Sequence, residues 1–136
     1  LIAVEFFDLS DWIVLAVDDE PDSLEVLCEA LEMHDATVTG VVGGQAALEE
    51  LKTFRPTLIL TDISMPEIDG YRLLRAVRKI PELATVPVIA LTAHAMKGDR
   101  ELILSAGFNG YITKPLRLDT LVQKILENVP LLKPSS

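Results

Sequence analysis

The sequence predicts an α/β protein, a single doubly wound, five-stranded parallel sheet flanked by five helices. Three observations lead there. Short apolar runs alternate with segments of helical periodicity, and no internal repeat, low-complexity tract or long linker interrupts them. The runs are largely apolar throughout rather than alternating, as expected of strands covered on both faces. Polar residues then stop several of them abruptly, at Asp18-Asp19, Asp62, Thr92 and Lys114.

Trp12 to Val17 (WIVLAV) reads as the first strand, ended by the two acids. Pro21 suits a helix first turn, and Leu24, Leu27 and Leu31 follow at helical spacing with Cys28 beside them. Ala36 to Val42 is short and β-branched, a second strand. Gly43-Gly44 punctuates it, and Ala46, Ala47, Leu48 and Leu51 lead a second helix towards Phe54. Thr57 to Leu60 is the third strand, running on to Asp62. After the loop from Met65 to Gly70, Leu73, Leu74 and Val77 mark a third helix. Pro87 opens a fourth strand, Val88 to Leu91, closed by Thr92. A helix from about Met96 to Ser105 stops at Gly107, and Tyr111 to Thr113 is a fifth strand before Lys114-Pro115. Leu118, Leu121, Val122, Ile125 and Leu126 trace the apolar face of the last helix, ended by Pro130.

Composition narrows the function. The 136 residues suit one domain, with 49% apolar and 24% charged residues excluding disorder for most of the chain. We place that domain at residues 11–129, with an N-terminal extension of unknown role over 1–10 and a tail over 130–136. The extension (LIAVEFFDLS) is too apolar for an ordinary tail; it packs on the domain, mediates a dimer, or ends a longer upstream segment. The first residue is not Met, which points to a fragment or a processed chain. No charge-free run reaches 15 residues, so no membrane insertion is expected, and no basic stretch marks a secretory signal. A net charge of -9 argues against direct nucleic acid binding, which needs a basic face. The single Cys28 excludes an internal disulfide and fits a reducing, cytoplasmic compartment.

In doubly wound sheets, ligands bind outside the carboxyl ends of the strands, where the strand order switches. Asp18, Asp19, Asp62, Thr92 and Lys114 all fall at such ends, although up to 96 positions separate them. One strand-end Asp is ordinarily a loop or cap residue. Three of them with a hydroxyl and a lysine form a candidate site. Carboxylates about 4 Å apart repel by roughly 4 kcal/mol per pair at an effective dielectric near 20. Some must protonate, or a cation must sit among them. Oxygen ligands without His or Cys select a hard divalent ion, Mg²⁺ first. A carboxylate can also act as a nucleophile towards phosphorus, giving an aspartyl phosphate. Asp62 is the natural nucleophile, with Mg²⁺, Lys114 and Thr92 left to hold the phosphoryl oxygens.

These residues resemble the response-regulator receiver domains of two-component signalling. The matching motifs are Asp18-Asp19-Glu20-Pro21, Asp62-Ile63-Ser64-Met65-Pro66 running to Asp69-Gly70, Leu91-Thr92-Ala93, and Lys114-Pro115. Intervals of 43, 30 and 22 residues separate Asp19, Asp62, Thr92 and Lys114, in agreement with that family. The resemblance covers about residues 12 to 129 and implies a flavodoxin-like sheet of order 2-1-3-4-5. It further implies Asp62 as phosphoacceptor, Asp19 as a direct Mg²⁺ ligand, Asp18 as an acid acting through water, and the Ser64 carbonyl as a third protein ligand. Thr92 and Lys114 then resemble the switch hydroxyl and the phosphoryl-contacting lysine. Tyr111 matches the aromatic that turns inward when Thr92 moves. A cis Lys114–Pro115 bond is implied as well. The implied partner is a sensor histidine kinase or histidine phosphotransfer protein, and the fourth helix, fifth strand and fifth helix form the implied output or homodimer face. The domain is then no enzyme beyond assisting its own phosphotransfer and autodephosphorylation.

Two departures stand beside the nucleophile. Ser64 replaces the frequent Asn two residues past Asp62, and His94 lies two past Thr92. Both flank the phosphoryl position and would tune its lifetime. A haloacid-dehalogenase-type hydrolase would need a second Asp where Ser64 stands, and a cap insertion. A receiver-like binding module that signals without phosphorylation usually lacks an acid or the lysine, and here all are present. With no helix-turn-helix after residue 129, we expect either a stand-alone regulator or a receiver cut from a longer regulator or hybrid kinase. Elsewhere we expect ordinary roles: His34 as a solvated helix-end residue, Cys28 as an inert core thiol, and Arg72, Arg75, Arg78 and Lys79 as a solvated face.

Overall fold

Parallel pairing organises five strands: β1 (Ile13–Asp18), β2 (Thr37–Val42), β3 (Leu58–Asp62), β4 (Val88–Thr92) and β5 (Gly110–Thr113). Their spatial order is β2-β1-β3-β4-β5. The helices between them are α1 (Pro21–Glu32), α2 (Gly44–Glu50), α3 (Gly70–Arg78), α4 (Lys97–Ser105) and α5 (Leu121–Asn128). The computed structural model describes residues 6–94, 96–130 and 132–135; the first five residues of the N-terminal extension and positions 131 and 136 of the tail lie outside the described residues. No helix among the described residues is long and apolar enough to cross a membrane.

The unbroken apolar runs follow from this order. Every residue of the central strands β3 and β4 is buried, as are five of the six in β1. Alternate side chains then enter opposite layers. Val14, Ala16, Leu58, Leu60, Ile89 and Leu91 pack with α1 and α5, while Leu15, Val17, Ile59, Val88 and Ala90 pack with α2, α3 and α4. β2, at an edge, is only half-buried. The register pairs Val17 with Thr61, Asp62 with Leu91 and Thr92 with Thr113, so the polar strand ends share one edge of the sheet.

At the opposite edge, residues 6–12 and the tail lie against the domain. Leu9 and Trp12 join the core, the Trp12 indole N–H donates to the Lys133 carbonyl at 3.0 Å, and the Asp11 N–H donates to the Ser135 hydroxyl at 2.8 Å. This packing corrects the reading of His34. The residue is 3% exposed rather than solvated. Its Nδ1 accepts the Phe7 N–H at 3.0 Å, and its carbonyl accepts the Leu9 N–H at 2.8 Å. The N-terminal segment covers it, which the sequence around position 34 could not reveal.

Three other expectations change. Leu118 is not on the last helix: the Arg117 carbonyl accepts the Leu121 N–H at 3.1 Å, so Leu118 lies in the preceding turn and is 38% exposed. Arg78 is no solvated side chain. Its guanidinium donates to the carbonyls of Leu83 and Val86 at 3.2 and 2.7 Å and to Asn109 Oδ1 at 3.0 Å. Those carbonyls lie at the end of, and just after, a 3₁₀ turn, Pro81–Leu83, that periodicity does not announce. Cys28 is half-buried rather than in the core, because α1 covers the edge strand there; a Cβ at Gly40 would lie 2.8 Å from its Sγ.

Candidate functional site

Asp18 ends β1 fully buried, and the chain turns at once into α1. The Glu20 N–H donates to Asp18 Oδ1 at 3.0 Å, which fixes the turn and leaves Asp19 and Glu20 beside the same strand end. Pro21 at the helix start has no N–H to leave unsatisfied.

Asp62 ends β3 at 6% exposure. The Ser64 N–H donates to its Oδ1 at 3.3 Å, and the buried Thr61 hydroxyl donates to its carbonyl at 2.9 Å. The following loop folds back so closely that a Cβ at Gly70 would meet the Asp62 carbonyl oxygen at 2.6 Å. Only glycine fits there without moving backbone.

The fourth and fifth strands supply the remaining groups. The Lys114 N–H donates to the Thr92 carbonyl at 2.8 Å, extending the β4–β5 ladder to the site. The Lys114–Pro115 bond is cis. Lys114 Nζ then lies 3.0 Å from Asp18 Oδ2, 3.1 Å from Asp62 Oδ2 and 3.8 Å from Glu20 Oε1. The Thr92 hydroxyl donates to the His94 carbonyl at 2.9 Å and accepts the His94 N–H at 3.0 Å. It is held by its own loop.

The electrostatics match this crowding. Burial pushes the Asp62 carboxyl above the usual range, the Lys114 ammonium pulls it down, and Asp18 and Asp19 raise it again. Burial opposes the charge on Lys114, but the attraction of Asp18 and Asp62 outweighs that and raises its pKa. Asp18 Oδ2 makes no hydrogen bond among the described residues; Lys114 is near enough for an ion pair but not aligned as a donor. One carboxylate oxygen from each of Asp18, Asp19, Glu20 and Asp62 lies within 4.8 Å of the others. An all-oxygen donor set, with one buried oxygen that an ion pair serves but no hydrogen bond does, fits a hard divalent cation.

Asp19, Asp62, Ser64, Thr92 and Lys114 line a cleft of about 150 Å³, with Glu20, Ala93 and His94. Asp18, fully buried, is not among the lining residues and joins the site through its place in the acid cluster. Tyr111 does not reach it; the ring packs half-buried against the layer holding Phe108 and Ile103. Sequence reasoning missed Glu20 as a member of the cluster, although a third consecutive acid at a strand end was the available signal. It also missed Thr61, a lone hydroxyl in an apolar strand.

A doubly wound sheet with an acid cluster, a hydroxyl and a lysine at its switch point defines the class. The family profile described as response regulator receiver domain matches residues 14–126. The chain belongs to that family. It is 38% identical over 117 residues to the signal transduction histidine-protein kinase BarA of Escherichia coli K12, covering 86% of this chain and 13% of the kinase. It is 34% identical to the polar-differentiation response regulator DivK of Brucella anthropi, covering 82% of this chain and 91% of that protein. Among solved structures, the receiver domain of sensor histidine kinase PA1611 from Pseudomonas aeruginosa PAO1 superposes with a TM-score of 0.76 at 35% identity, covering 85% of this chain and 95% of that one. That structure has a magnesium ion coordinated in its active-site cleft. The chain is therefore a receiver domain of two-component signalling, homologous to the receiver domains of histidine kinases.

Proposed function

We propose that the domain accepts a phosphoryl group from a histidine kinase or phosphotransfer protein onto Asp62. The observation that supports this most is the Lys114 ammonium lying between two buried carboxylates, within a cluster of four acids at the strand ends. An oxygen of Asp62 attacks phosphorus, and the phosphorus–nitrogen bond to the donor histidine breaks. Its electron pair stays on the imidazole nitrogen, which takes up a proton. Asp18, Asp19, Asp62 and the Ser64 carbonyl are the groups that would hold Mg²⁺, which when bound neutralises charge on the phosphoryl oxygens. Lys114 stays beside Asp62 to pair with a second oxygen. Thr92 must give up its two bonds to His94 before its hydroxyl can serve a third.

Releasing that loop is the route by which phosphorylation would alter the face formed by α4, β5 and α5, including Tyr111. We assign that face to effector or homodimer contacts, without nucleic acid. The domain acts in the cytoplasm as a phosphoacceptor, not as an enzyme turning over a free substrate. Incubation with phosphoramidate and Mg²⁺ should add one base-labile phosphoryl group per chain, lost in Asp62→Asn. Undiminished labelling of Asp62→Asn would overturn the site, and no labelling of the unaltered chain would favour a module that signals without phosphorylation.

A further inference from the structure

Among the described residues β5 is the last strand of the sheet, so its outward N–H groups have no neighbouring strand there. One of them is capped from a helix instead. The Tyr111 N–H donates to Asn128 Oδ1 at 3.2 Å. The carboxamide is itself held by α5, because its Nδ2 donates to the Lys124 carbonyl at 2.8 Å, one turn back. Acceptor to the strand and donor to the helix leave only one orientation of the amide that satisfies both. The contact also depends on Gly110. A Cβ there would lie 2.7 Å from Asn128 Oδ1 and 2.8 Å from Asn128 Cβ. The buried side chains of α5 in the core beneath the sheet, Leu121, Val122 and Ile125, are apolar. Apolar packing is non-directional and tolerates sliding, whereas this bond fixes a register between helix and strand.

We infer that Asn128 is a positioning residue that couples α5 to the backbone of Tyr111. The proposal rests on the reading that phosphorylation of Asp62 changes the α4, β5 and α5 face. Lys114 and Thr92 act on β5 at its carboxyl end, through the bond between the Lys114 N–H and the Thr92 carbonyl. Asn128 grips the same short strand from the other side. Because it holds the backbone and not the ring, the Tyr111 side chain can rotate while the strand still carries α5 with it.

The test is residue-resolved hydrogen exchange on the whole chain, with and without Mg²⁺ and beryllofluoride, after phosphoramidate labelling has been scored separately. Asn128→Leu keeps the volume and removes the acceptor; Asn128→Asp keeps an acceptor for Tyr111 and loses the donor to Lys124. In Asn128→Leu the Tyr111 amide should exchange about tenfold faster, the loss expected of one hydrogen bond. The beryllofluoride response of α5 should fall below half of its usual size, while the response of the loop after β4 is retained. Asn128→Asp should restore the α5 response, and Gly110→Ala, which displaces Asn128 from the opposite side, should reproduce Asn128→Leu. A merely structural role would lower the melting temperature of Asn128→Leu but leave the ratio of α5 to loop response unchanged. That outcome, or slow Tyr111 exchange in Asn128→Leu, overturns the proposal. A labelled protein with no response anywhere in the α4, β5 and α5 face would instead fail the output reading itself, and the coupling with it.

Discussion

Lys114 Nζ donates a 3.1 Å hydrogen bond to Asp62 Oδ2 across 52 residues of sequence. The same ammonium lies 3.0 Å from Asp18, so one cation answers two carboxylates that are 0% and 6% exposed. Removing one partner of a buried ionic group leaves the others uncompensated, at a cost of about 3 kcal/mol. Lys114→Met should therefore lower metal-free stability by about that much in urea denaturation. Added Mg²⁺ should return part of the loss while labelling of Asp62 stays low. A loss well under 1 kcal/mol would mean that water, not Lys114, screens the acids.

Arg78 offers a test remote from the cleft. Its guanidinium joins the end of α3 to two loop carbonyls and to Asn109, whose Oδ1 also accepts the Val88 N–H at 2.9 Å. Burial holds its pKa below the usual guanidinium value, and the hydrogen bonds are what the desolvated charge gains. Arg78→Met should cost about 2 kcal/mol, whereas Arg75→Met, exposed on the same helix, should stay within about 0.5 kcal/mol. Equal effects in thermal denaturation would return Arg78 to the solvated face read from sequence.

The contrast between these two arginines shows what sequence patterns carry. Apolar runs ending in acids fixed the sheet because a strand buried on both faces must be apolar until it leaves the layer. The strand-end rule then gathers Asp18, Asp19, Asp62, Thr92 and Lys114 from the sequence alone. Glu20 escaped because its backbone belongs to the turn, and only the turn aims its carboxylate at Lys114. His34 and Arg78 depart from the sequence expectation for a shared reason. Their partners are backbone groups of segments distant in sequence or irregular in structure, Phe7 and Leu9 for one, Leu83 and Val86 for the other. Carbonyls and N–H groups leave no signature in a sequence. The same holds for the two hydrogen bonds that occupy the Thr92 hydroxyl.

Cys28 gives the pH dependence. Burial is the larger cause and the Glu32 charge the smaller, and both raise its pKa above the ordinary thiol value. A thiol whose folded pKa is raised adds stability that is complete below the unfolded pKa and is lost as pH rises through the folded one. Alkylation by iodoacetamide should accordingly remain slow through the pH range where a free cysteine already reacts. Its midpoint should shift upward relative to the unfolded chain, and Glu32→Gln should move it part of the way back. An alkylation midpoint at or below that of the unfolded chain would show an open, activated thiol.

Asp19→Ala separates the two consequences of a crowded acid cluster, because they have opposite signs. Without metal, the carboxylate lies within 4.8 Å of three other acidic groups and contributes repulsion, so its removal should leave the metal-free protein as stable as before or more so. With metal, the sign reverses. A cation bound at 100 times its dissociation constant stabilises the unaltered protein by about 2.7 kcal/mol, and a variant lacking a ligand needs far more metal for the same gain. Thermal melts over a Mg²⁺ titration should therefore cross: Asp19→Ala melts at or above the unaltered protein without metal and below it at saturating Mg²⁺. Phosphoramidate labelling should fall in parallel with the weakened metal dependence. Parallel titration curves, with labelling unchanged, would remove Asp19 from the ligand set and leave Asp18, Glu20 and Asp62 to hold the ion.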